Sequence, residues 1–345
     1  MKKAISLIIK NAKSNADKQS CSAVKNTARD DSKEWIATRS KKRSARDDDG
    51  GHTIGEMIEF ATSEFKRAKV FFGHGTDNGW DEAVYLILFG LGLEQHLTDT
   101  VLNRNITAGE RRLLLKIIER RIDSHIPAAY LTKEAYFAGF KFYVDQRVLI
   151  PRSPIAELIL NRFSPWIVKE QVKDLLEIGT GSGCIAISCA HLFPEARISA
   201  TDIDVEALRV AQLNCTEHRV KSRVKLIRSD LFANISPTQR YDIIISNPPY
   251  VGEKEFKKLP REYSYEPKLA LLAGSRGDEL IVRILAEAAK YLKPQGLLII
   301  EMGNSALRIA KKYPQLPFVW LDFEHGESEV LLITREQLLN GGRSN

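Results

Sequence analysis

The sequence has few of the features that mark exported, membrane-bound or metal-binding proteins. Its four cysteines form no CxxC pair, which favours a reduced protein of the cytoplasm. No apolar run approaches the roughly 20 residues that a bilayer-spanning helix needs. The apolar run in MKKAISLIIK is shorter than the core of a signal peptide. The seven histidines lack HExxH spacing. We therefore predict no export, no membrane role and no metal site.

Net positive charge is almost absent outside the first 50 residues. Residues 1–50 contain 13 Lys/Arg and 7 Asp/Glu, whereas the rest of the chain contains 38 and 37. The first 50 residues also lack apolar periodicity, which predicts a disordered basic tail. A basic groove for nucleic acid is thus unsupported in the folded part. We expect nucleic-acid contact only through the tail, whose alternative role is simply to remain solvated.

The chain of 345 residues has room for two domains after this tail. Apolar residues at helical spacing, with short connections between the helices, predict a helical domain over 51–133. The stretch EAYFAGFKFYVDQRVLI at 134–150 alternates aromatic and polar residues around a glycine, which predicts a β-hairpin linker. Pro151 breaks this pattern, so we place the second domain at 151–345.

Strands and helices alternate after residue 170, as in a doubly wound α/β sheet. The connection between the last two strands is too short for a crossover, so these strands should pair antiparallel. Seven strands are predicted, at 172–178, 197–202, 223–228, 241–246, 296–301, 317–323 and 329–334.

The first strand of this sheet runs into a glycine-rich turn, DLLEIGTGSGC. Its GxGxG spacing and preceding Glu177 suit a nucleoside that carries an amino acid, because a carboxylate can pair with its ammonium group. Asp202 and Asp230 end the next two strands at the same sheet edge. We expect Asp202 to be free to accept hydrogen bonds from the ribose hydroxyls, and Asp230 to accept one from the adenine amino group. Helix capping or turn formation is the alternative role of both. The predicted cofactor-binding residues are Glu177, Gly179, Thr180, Gly181, Gly183, Asp202, Asp230, Leu231 and Asn247.

The fourth strand ends in the tetrapeptide Asn247-Pro248-Pro249-Tyr250. An amide nitrogen is a poor nucleophile, so a catalyst must hold its NH2 group with the lone pair facing an electrophilic methyl. The Asn247 side-chain oxygen and the Pro248 carbonyl can each accept one N–H. Proline stiffens the loop, and the Tyr250 ring can pack on a planar amide. A stiff turn without catalytic role is the alternative. The predicted chemistry is methyl transfer to a planar nitrogen, with no general base.

Together these motifs resemble the amino methyltransferases, which include DNA adenine methylases and the glutamine N(5)-methyltransferases of release factors and ribosomal proteins. LIPRSPIAELI at 149–159 and the helical domain resemble the glutamine branch. GHGTDNGWDEAV, IPAAYLT and EVLLITREQL resemble the members that modify the third protein of the large ribosomal subunit. The resemblance covers about 52–340.

This resemblance implies a Rossmann-like, seven-stranded class I methyltransferase sheet with S-adenosylmethionine as cofactor. It implies that the helical domain recognises a large-subunit ribosomal protein, before or during ribosome assembly, and that Arg152, Asn247 and Tyr250 contact the substrate.

Three alternatives remain open: a release-factor glutamine methyltransferase, a DNA adenine methyltransferase, and a non-catalytic ribosome-assembly factor. A DNA enzyme would want a basic groove for phosphates, and a pure binder would not need Asn247. The long 251–278 segment, with Pro260, Tyr263, Tyr265 and Pro267, is either a lid or peptide groove, or a loop that its aromatic residues pack onto the sheet.

Overall fold

A computed structural model describes residues 52–323 and 329–341 of the chain. The predicted basic tail, residues 1–50, lies outside the described residues. Within the described residues, every helix falls short of the length and apolar character of a transmembrane span.

In the described part of the chain, five α-helices precede the β-hairpin. The first, α1, begins with a capping box in which Thr53 and Glu56 each accept from the other's backbone N–H. Its buried face packs mainly against the helix Gly79–Gly90, and the helix Ala108–Ser124 also starts with a capping box, at Thr107. These helices lie where apolar residues at helical spacing predicted them, within 51–133. Their bounds are α1 Ile54–Arg67, α2 Gly79–Gly90, α3 Asp99–Leu102, α4 Ala108–Ser124 and α5 Ala128–Thr132.

A two-stranded antiparallel hairpin follows, as predicted for 134–150. Its strands are β1, Glu134–Phe137, and β2, Phe140–Tyr143. Asn214 ties this hairpin to the α/β part of the chain, because its side-chain amide exchanges hydrogen bonds with the Tyr143 backbone at 2.8 and 3.0 Å.

The α/β part contains a seven-stranded sheet in the order β5-β4-β3-β6-β7-β9-β8. The first five strands in this order are parallel, whereas β9 pairs antiparallel with both β7 and β8. Both the predicted doubly wound sheet and the antiparallel final pair are therefore confirmed. The strands are β3 Asp174–Ile178, β4 Arg197–Asp202, β5 Val224–Arg228, β6 Tyr241–Ser246, β7 Leu292–Glu301, β8 Val319–Leu321 and β9 Val330–Thr334.

Helices cover both faces of this sheet, and one apolar cluster lies on each face. Strand β3 is buried along its whole length, as expected for a central parallel strand. The helices are α6 Ile155–Leu160, α7 Cys184–Leu192, α8 Val205–Glu217, α9 Glu253–Phe256, α10 Lys268–Leu271, α11 Glu279–Tyr291, α12 Ala306–Lys312 and α13 Arg335–Gly341.

The chain runs from β3 outward to β4 and β5, then returns to the other side of β3 as β6. The strand order therefore reverses between β3 and β6. Open α/β sheets bind ligands at such a switch point, beyond the carboxyl ends of the strands. The residues predicted at strand ends lie at this edge, namely the glycine turn, Asp202, Asp230 and the tetrapeptide that begins at Asn247.

Candidate active site

The glycine-rich turn lies directly beyond β3. Gly181 has φ +54°, a conformation that disfavours other residues, and a Cβ added there would meet no atom within 4 Å. Its backbone therefore borders open space. Gly183, with φ +82°, begins α7, and a Cβ added there would lie 3.2 Å from the Ala211 side chain. Gly183 thus permits close packing of α7 on α8, rather than facing the open space.

Glu177 lies beneath this turn and is only 1% exposed. Its Oε2 accepts from the Thr180 hydroxyl at 2.6 Å and from the Ala186 N–H at 2.9 Å. Burial raises the pKa of the Glu177 carboxyl to about 8, and these two hydrogen bonds only partly oppose that shift. The carboxyl group both fixes the turn and borders the cavity described below.

Asp202 is not free, contrary to the prediction. Its two oxygens accept from the backbone N–H groups of Gly181 and Asp204, each at 2.9 Å. Asp204 is the N-cap of α8. Burial raises the pKa of Asp202, although the backbone hydrogen bonds oppose this effect. A carboxylate offers about four lone-pair sites, so two N–H donors leave Asp202 able to accept from a ligand.

The outer wall of the same space is more exposed. Asp230 pairs with Arg283 of α11 at 2.8 Å, and both side chains are about half exposed. Ile203 is 48% exposed beside Asp202, and Leu231 is buried. These apolar side chains offer a surface for a flat base, while Asp230 keeps oxygen atoms at the rim.

A cavity of about 250 Å³, here called the glycine cavity, brings these residues together. Eight of the nine predicted cofactor residues line it, and Gly183 is the exception. Its open glycine backbone, its apolar wall and its three carboxyl groups suit a nucleoside that carries a positively charged amino acid. The residues present therefore fit S-adenosylmethionine.

A second cavity of about 360 Å³, here called the outer cavity, adjoins the first. All four residues of the predicted catalytic tetrapeptide line it, and the first three also line the glycine cavity. The tetrapeptide follows β6, where the Ser246 hydroxyl donates to the Ile178 carbonyl at 2.9 Å and ties β6 to β3. The residues common to both cavities are Leu149, Arg152, Asn247, Pro248, Pro249 and Ala270.

Tyr250 is held from two sides. Its hydroxyl donates to Glu301 Oε1 at 3.0 Å, and Glu301 Oε2 accepts from the Ser153 hydroxyl at 2.5 Å. Its ring lies on Gly303, where an added Cβ would come within 2.5 Å of Tyr250 Cε2. The ring therefore has a defined place in the wall of the outer cavity.

Arg152 lies at the junction of the two cavities. Its guanidinium pairs with both oxygens of Glu266, at 2.6 and 2.8 Å, and lies 5.4 Å from the centre of the Tyr263 ring. Burial opposes the ionisation of Glu266, but the charge and hydrogen bonds of Arg152 together with the neighbouring His74 outweigh it and lower the pKa of Glu266 to about 2. This pair is therefore ionised in the structure.

The 251–278 segment packs against the helices that precede the sheet. The Tyr263 ring contacts the His74 ring at a tilt of 59°, with ring centres 4.5 Å apart, and the Tyr265 hydroxyl donates to the Ser124 carbonyl at 2.5 Å. Tyr263 also lines the outer cavity. The aromatic residues of the 251–278 segment thus pack it onto the rest of the chain, and one of them, Tyr263, also forms part of the cavity wall.

Sequence reasoning missed several residues that shape these cavities. Glu301 ends β7 at the same sheet edge as Asp202, so its strand-end position was an available signal. Asn214 and Glu266 carry no such signal, because only the tertiary fold brings them to Ser182 and to Arg152. In the described part of the chain, no three His, Cys, Asp or Glu side chains are grouped so as to hold a metal ion.

Comparison with known proteins indicates which family this chain resembles. The model of the "Methyltransferase small domain" matches residues 156–261. A ribosomal protein uL3 glutamine methyltransferase of Neisseria gonorrhoeae is 46% identical over 288 residues, which cover 83% of this chain and 96% of the relative. The protein of the same name from Francisella tularensis is 43% identical over 289 residues, covering 84% and 92%.

Proposed function

The chain belongs to the family of ribosomal protein uL3 glutamine methyltransferases, and on this basis we propose that it methylates the side-chain amide nitrogen of a glutamine in uL3, the third protein of the large ribosomal subunit. Membership makes it an S-adenosylmethionine-dependent methyltransferase. The proposal specifies the acceptor and the residues that serve it.

One observation carries the assignment of roles. The glycine cavity and the outer cavity share Asn247, Pro248 and Pro249 as a common wall. A donor in the first and an acceptor in the second would therefore meet at the tetrapeptide. A stiff turn without catalytic role would not need to face two cavities.

In this proposal, the glycine cavity holds the cofactor. Bound S-adenosylmethionine supplies an electrophilic methyl group on a sulfonium centre. Asp202 accepts from the ribose hydroxyls with its remaining lone pairs, and Asp230 accepts at the adenine end beside Ile203 and Leu231. Glu177 provides a carboxyl group for the ammonium of the amino-acid end.

The acceptor glutamine enters from the outer cavity. The Asn247 side-chain oxygen and the Pro248 carbonyl each accept one N–H of its amide, which holds the nitrogen and directs its lone pair toward the glycine cavity. Preorganised acceptors of this kind are worth about 10²–10³ in rate per group. The extra proton leaves after transfer, so no general base is assigned.

Tyr250 and Arg152 complete the acceptor site in this proposal. The Tyr250 ring, held by Glu301 and Gly303, packs on the planar amide. Arg152 uses two guanidinium nitrogens on Glu266, and a guanidinium has five N–H donors. Those that remain can donate to main-chain carbonyls of the acceptor.

The wider roles are part of the same proposal. Helices within residues 51–133 recognise the protein substrate, and residues 134–150 link them to the methyltransferase domain at 151–345. Because the acceptor is a ribosomal protein, we propose that methylation takes place in the cytoplasm, before or during assembly of the large subunit.

The test incubates the protein with methyl-labelled S-adenosylmethionine and one acceptor at a time: unmethylated uL3, a release factor, or DNA. We expect label on a uL3 glutamine. Asn247→Ala should lower kcat by at least about 10²-fold, because it removes one of the two acceptors, while cofactor affinity stays within several-fold of the wild type.

Asn161→Ala, an exposed change at the end of α6 that borders neither cavity, is the matched control and should keep wild-type turnover. Label on the release factor or DNA in place of uL3 would refute the proposed acceptor. Loss of cofactor binding in Asn247→Ala would show that its role has been misassigned.

A further inference from the structure

Two carboxylates on one short segment lie behind the wall of the outer cavity. Glu262 and Glu266 flank Tyr263 and are 2% and 5% exposed. Buried carboxylates are rare unless they are paired. Neither residue lines either cavity, so neither is placed to touch the cofactor or the acceptor.

Glu266 holds the segment that precedes α6. In addition to the Arg152 guanidinium, its Oε1 accepts from the Ile150 backbone N–H at 3.1 Å. The imidazole of His74, which is buried, lies 3.5 Å from its other oxygen. A bidentate pair of this kind fixes the plane of the guanidinium as well as its position. Glu266 therefore determines which Arg152 donors face the cavities.

Glu262 makes the corresponding contacts with the helices before the sheet. Its Oε1 accepts from the Phe71 N–H and contacts His125 Nδ1, each at 3.0 Å, and lies 3.5 Å from the Arg121 guanidinium. Arg121 is fully buried and also donates to Glu82 at 2.7 Å and to the Phe71 carbonyl at 2.9 Å. The segment is thus anchored to α2, α4 and the connections beside them.

Tyr263 lies between these two anchors. One neighbour of its ring is His74, at 4.5 Å, another is Phe71, at 5.8 Å, and Arg152 lies 5.4 Å from the ring centre. The Tyr263 and Arg152 portion of the outer-cavity wall therefore rests on residues 71–74, which belong to the helical part of the chain.

We propose that Glu262 and Glu266 are positioning residues for the acceptor, holding Tyr263 and Arg152 in place so that the helical part of the chain forms the back of the acceptor site. This inference rests on the proposed function of the outer cavity. It gives the helices a second role besides recognition of the protein surface, because the geometry around the target glutamine then depends on them.

The physical consequence of losing either carboxylate follows from these contacts. Without Glu266, Arg152 is left as an unpaired cation at the cavity junction, and its guanidinium turns toward solvent or into the acceptor space. Without the Glu262 charge, Arg121 loses a partner and the segment bearing Tyr263 loosens. Both changes should weaken binding of the acceptor more than binding of the cofactor, because the hydrogen bonds of Glu177 and Asp202 in the glycine cavity do not involve this segment.

The experiment measures kcat, the KM for uL3 and the Kd for S-adenosylmethionine in the full chain carrying Glu266→Gln, Glu262→Gln, Arg152→Met or Arg152→Met with Glu266→Gln. Glu266→Gln should raise the KM for uL3 at least about tenfold, as expected when one partner of a buried pair is removed. The effect on kcat should be smaller, and the cofactor Kd should change less than the KM for uL3, because Arg152 is one of many residues that line the glycine cavity. The double variant should be no worse than Arg152→Met, since Glu266 acts through Arg152.

Asp174→Asn is the matched control. Asp174 also forms a largely buried ion pair, with Lys293 at 2.8 Å, but it begins β3 at the opposite end of the strand. It should lower thermal stability and leave the KM for uL3 unchanged. An equal rise in KM in Asp174→Asn would reduce Glu266 to a general stability role and overturn the proposal, as would an unchanged KM in Glu266→Gln.

Hydrogen exchange of the unliganded protein separates this inference from the acceptor assignment. Glu266→Gln should speed exchange in peptides covering 147–153 and 261–272, but not in 174–186. If wild-type protein fails to methylate uL3 while this exchange pattern appears, the proposed function fails and the positioning contacts stand. Uniform exchange across these peptides would refute the positioning role itself.

Discussion

At the scale of single residues, the buried carboxyl group of Glu177 makes the unliganded protein sensitive to pH. Its folded pKa of about 8 lies above the ordinary value of 4.5 because the group is fully buried. Between these two values the folded chain retains a proton that the unfolded chain releases. Raising the pH through this window therefore favours unfolding.

This gives a prediction for Glu177→Gln, which keeps the shape of the side chain but cannot ionise. The Tm of the wild type minus that of the variant should fall by several degrees between about pH 5 and 8, because each pKa unit corresponds to about 1.4 kcal/mol. Thermal unfolding of both proteins without cofactor, over this pH range, measures it. Curves that stay parallel would show that Glu177 does not titrate in this window.

At the scale of elements, the turn after β7 sets the place of Tyr250. Gly303 has φ +45° and supports the Tyr250 ring, and the Ser305 hydroxyl donates to the Tyr250 carbonyl at 3.2 Å. An alanine at 303 would bring its Cβ within 2.5 Å of the ring. The ring, which lines the outer cavity, would have to move.

Gly303→Ala should therefore lower kcat/KM for uL3 at least about tenfold, because a small misplacement near the reacting group is costly. Gly92→Ala is its matched control: Gly92 has φ +65°, and its added Cβ would meet no atom within 4 Å. Both variants carry similar backbone strain, of about 1–2 kcal/mol. Steady-state kinetics should show the loss in Gly303→Ala alone; equal losses in both would attribute it to strain.

Helices and strands were predictable from sequence where the pattern that indicates them lies within the element itself. Strands β4 and β6 end at Asp202 and Ser246 as predicted, and β6 contains the continuous apolar run, residues 243–245, that is expected of a buried parallel strand. Strand β7 begins at Leu292, earlier than the predicted 296, since Lys293 and Gln295 obscure the pattern. Strand β8 is shorter than predicted and half-exposed.

The active site was predictable only where it follows strand ends. The glycine turn and the tetrapeptide are contiguous in sequence, so their place at the sheet edge follows from the alternation of strands and helices. The pairing of Glu266 with Arg152 joins residues 114 positions apart and depends on tertiary packing. The hydrogen bonds from two backbone N–H groups to Asp202 were not foreseen either. They form because the glycine turn folds back onto that carboxylate.

At the scale of the whole molecule, the outer cavity is assembled from separate parts of the chain. Arg152 precedes α6, the tetrapeptide follows β6, and Gly303 follows β7. The contacts of Glu262 bring in the helical part as well. The proposed recognition of the substrate by the helices and the proposed methyl transfer are therefore linked, because the same segment borders the outer cavity and packs on the helical part of the chain.

The distribution of charge predicts how the whole chain meets nucleic acid. Residues 1–50 carry most of the formal charge of +7, and the remainder is nearly balanced. Binding to RNA phosphates releases counterions, so the affinity of a protein for RNA falls with salt concentration, more steeply the more phosphates it contacts.

A protein beginning at residue 51 should bind a short RNA more weakly and with a shallower salt dependence between about 50 and 200 mM than the full chain. Its turnover on free uL3 should stay within about twofold, because the cavities lie in the described residues beyond the tail. Fluorescence anisotropy and methyl-transfer assays on both proteins measure this, and equal salt slopes would place the RNA contacts in the folded part instead.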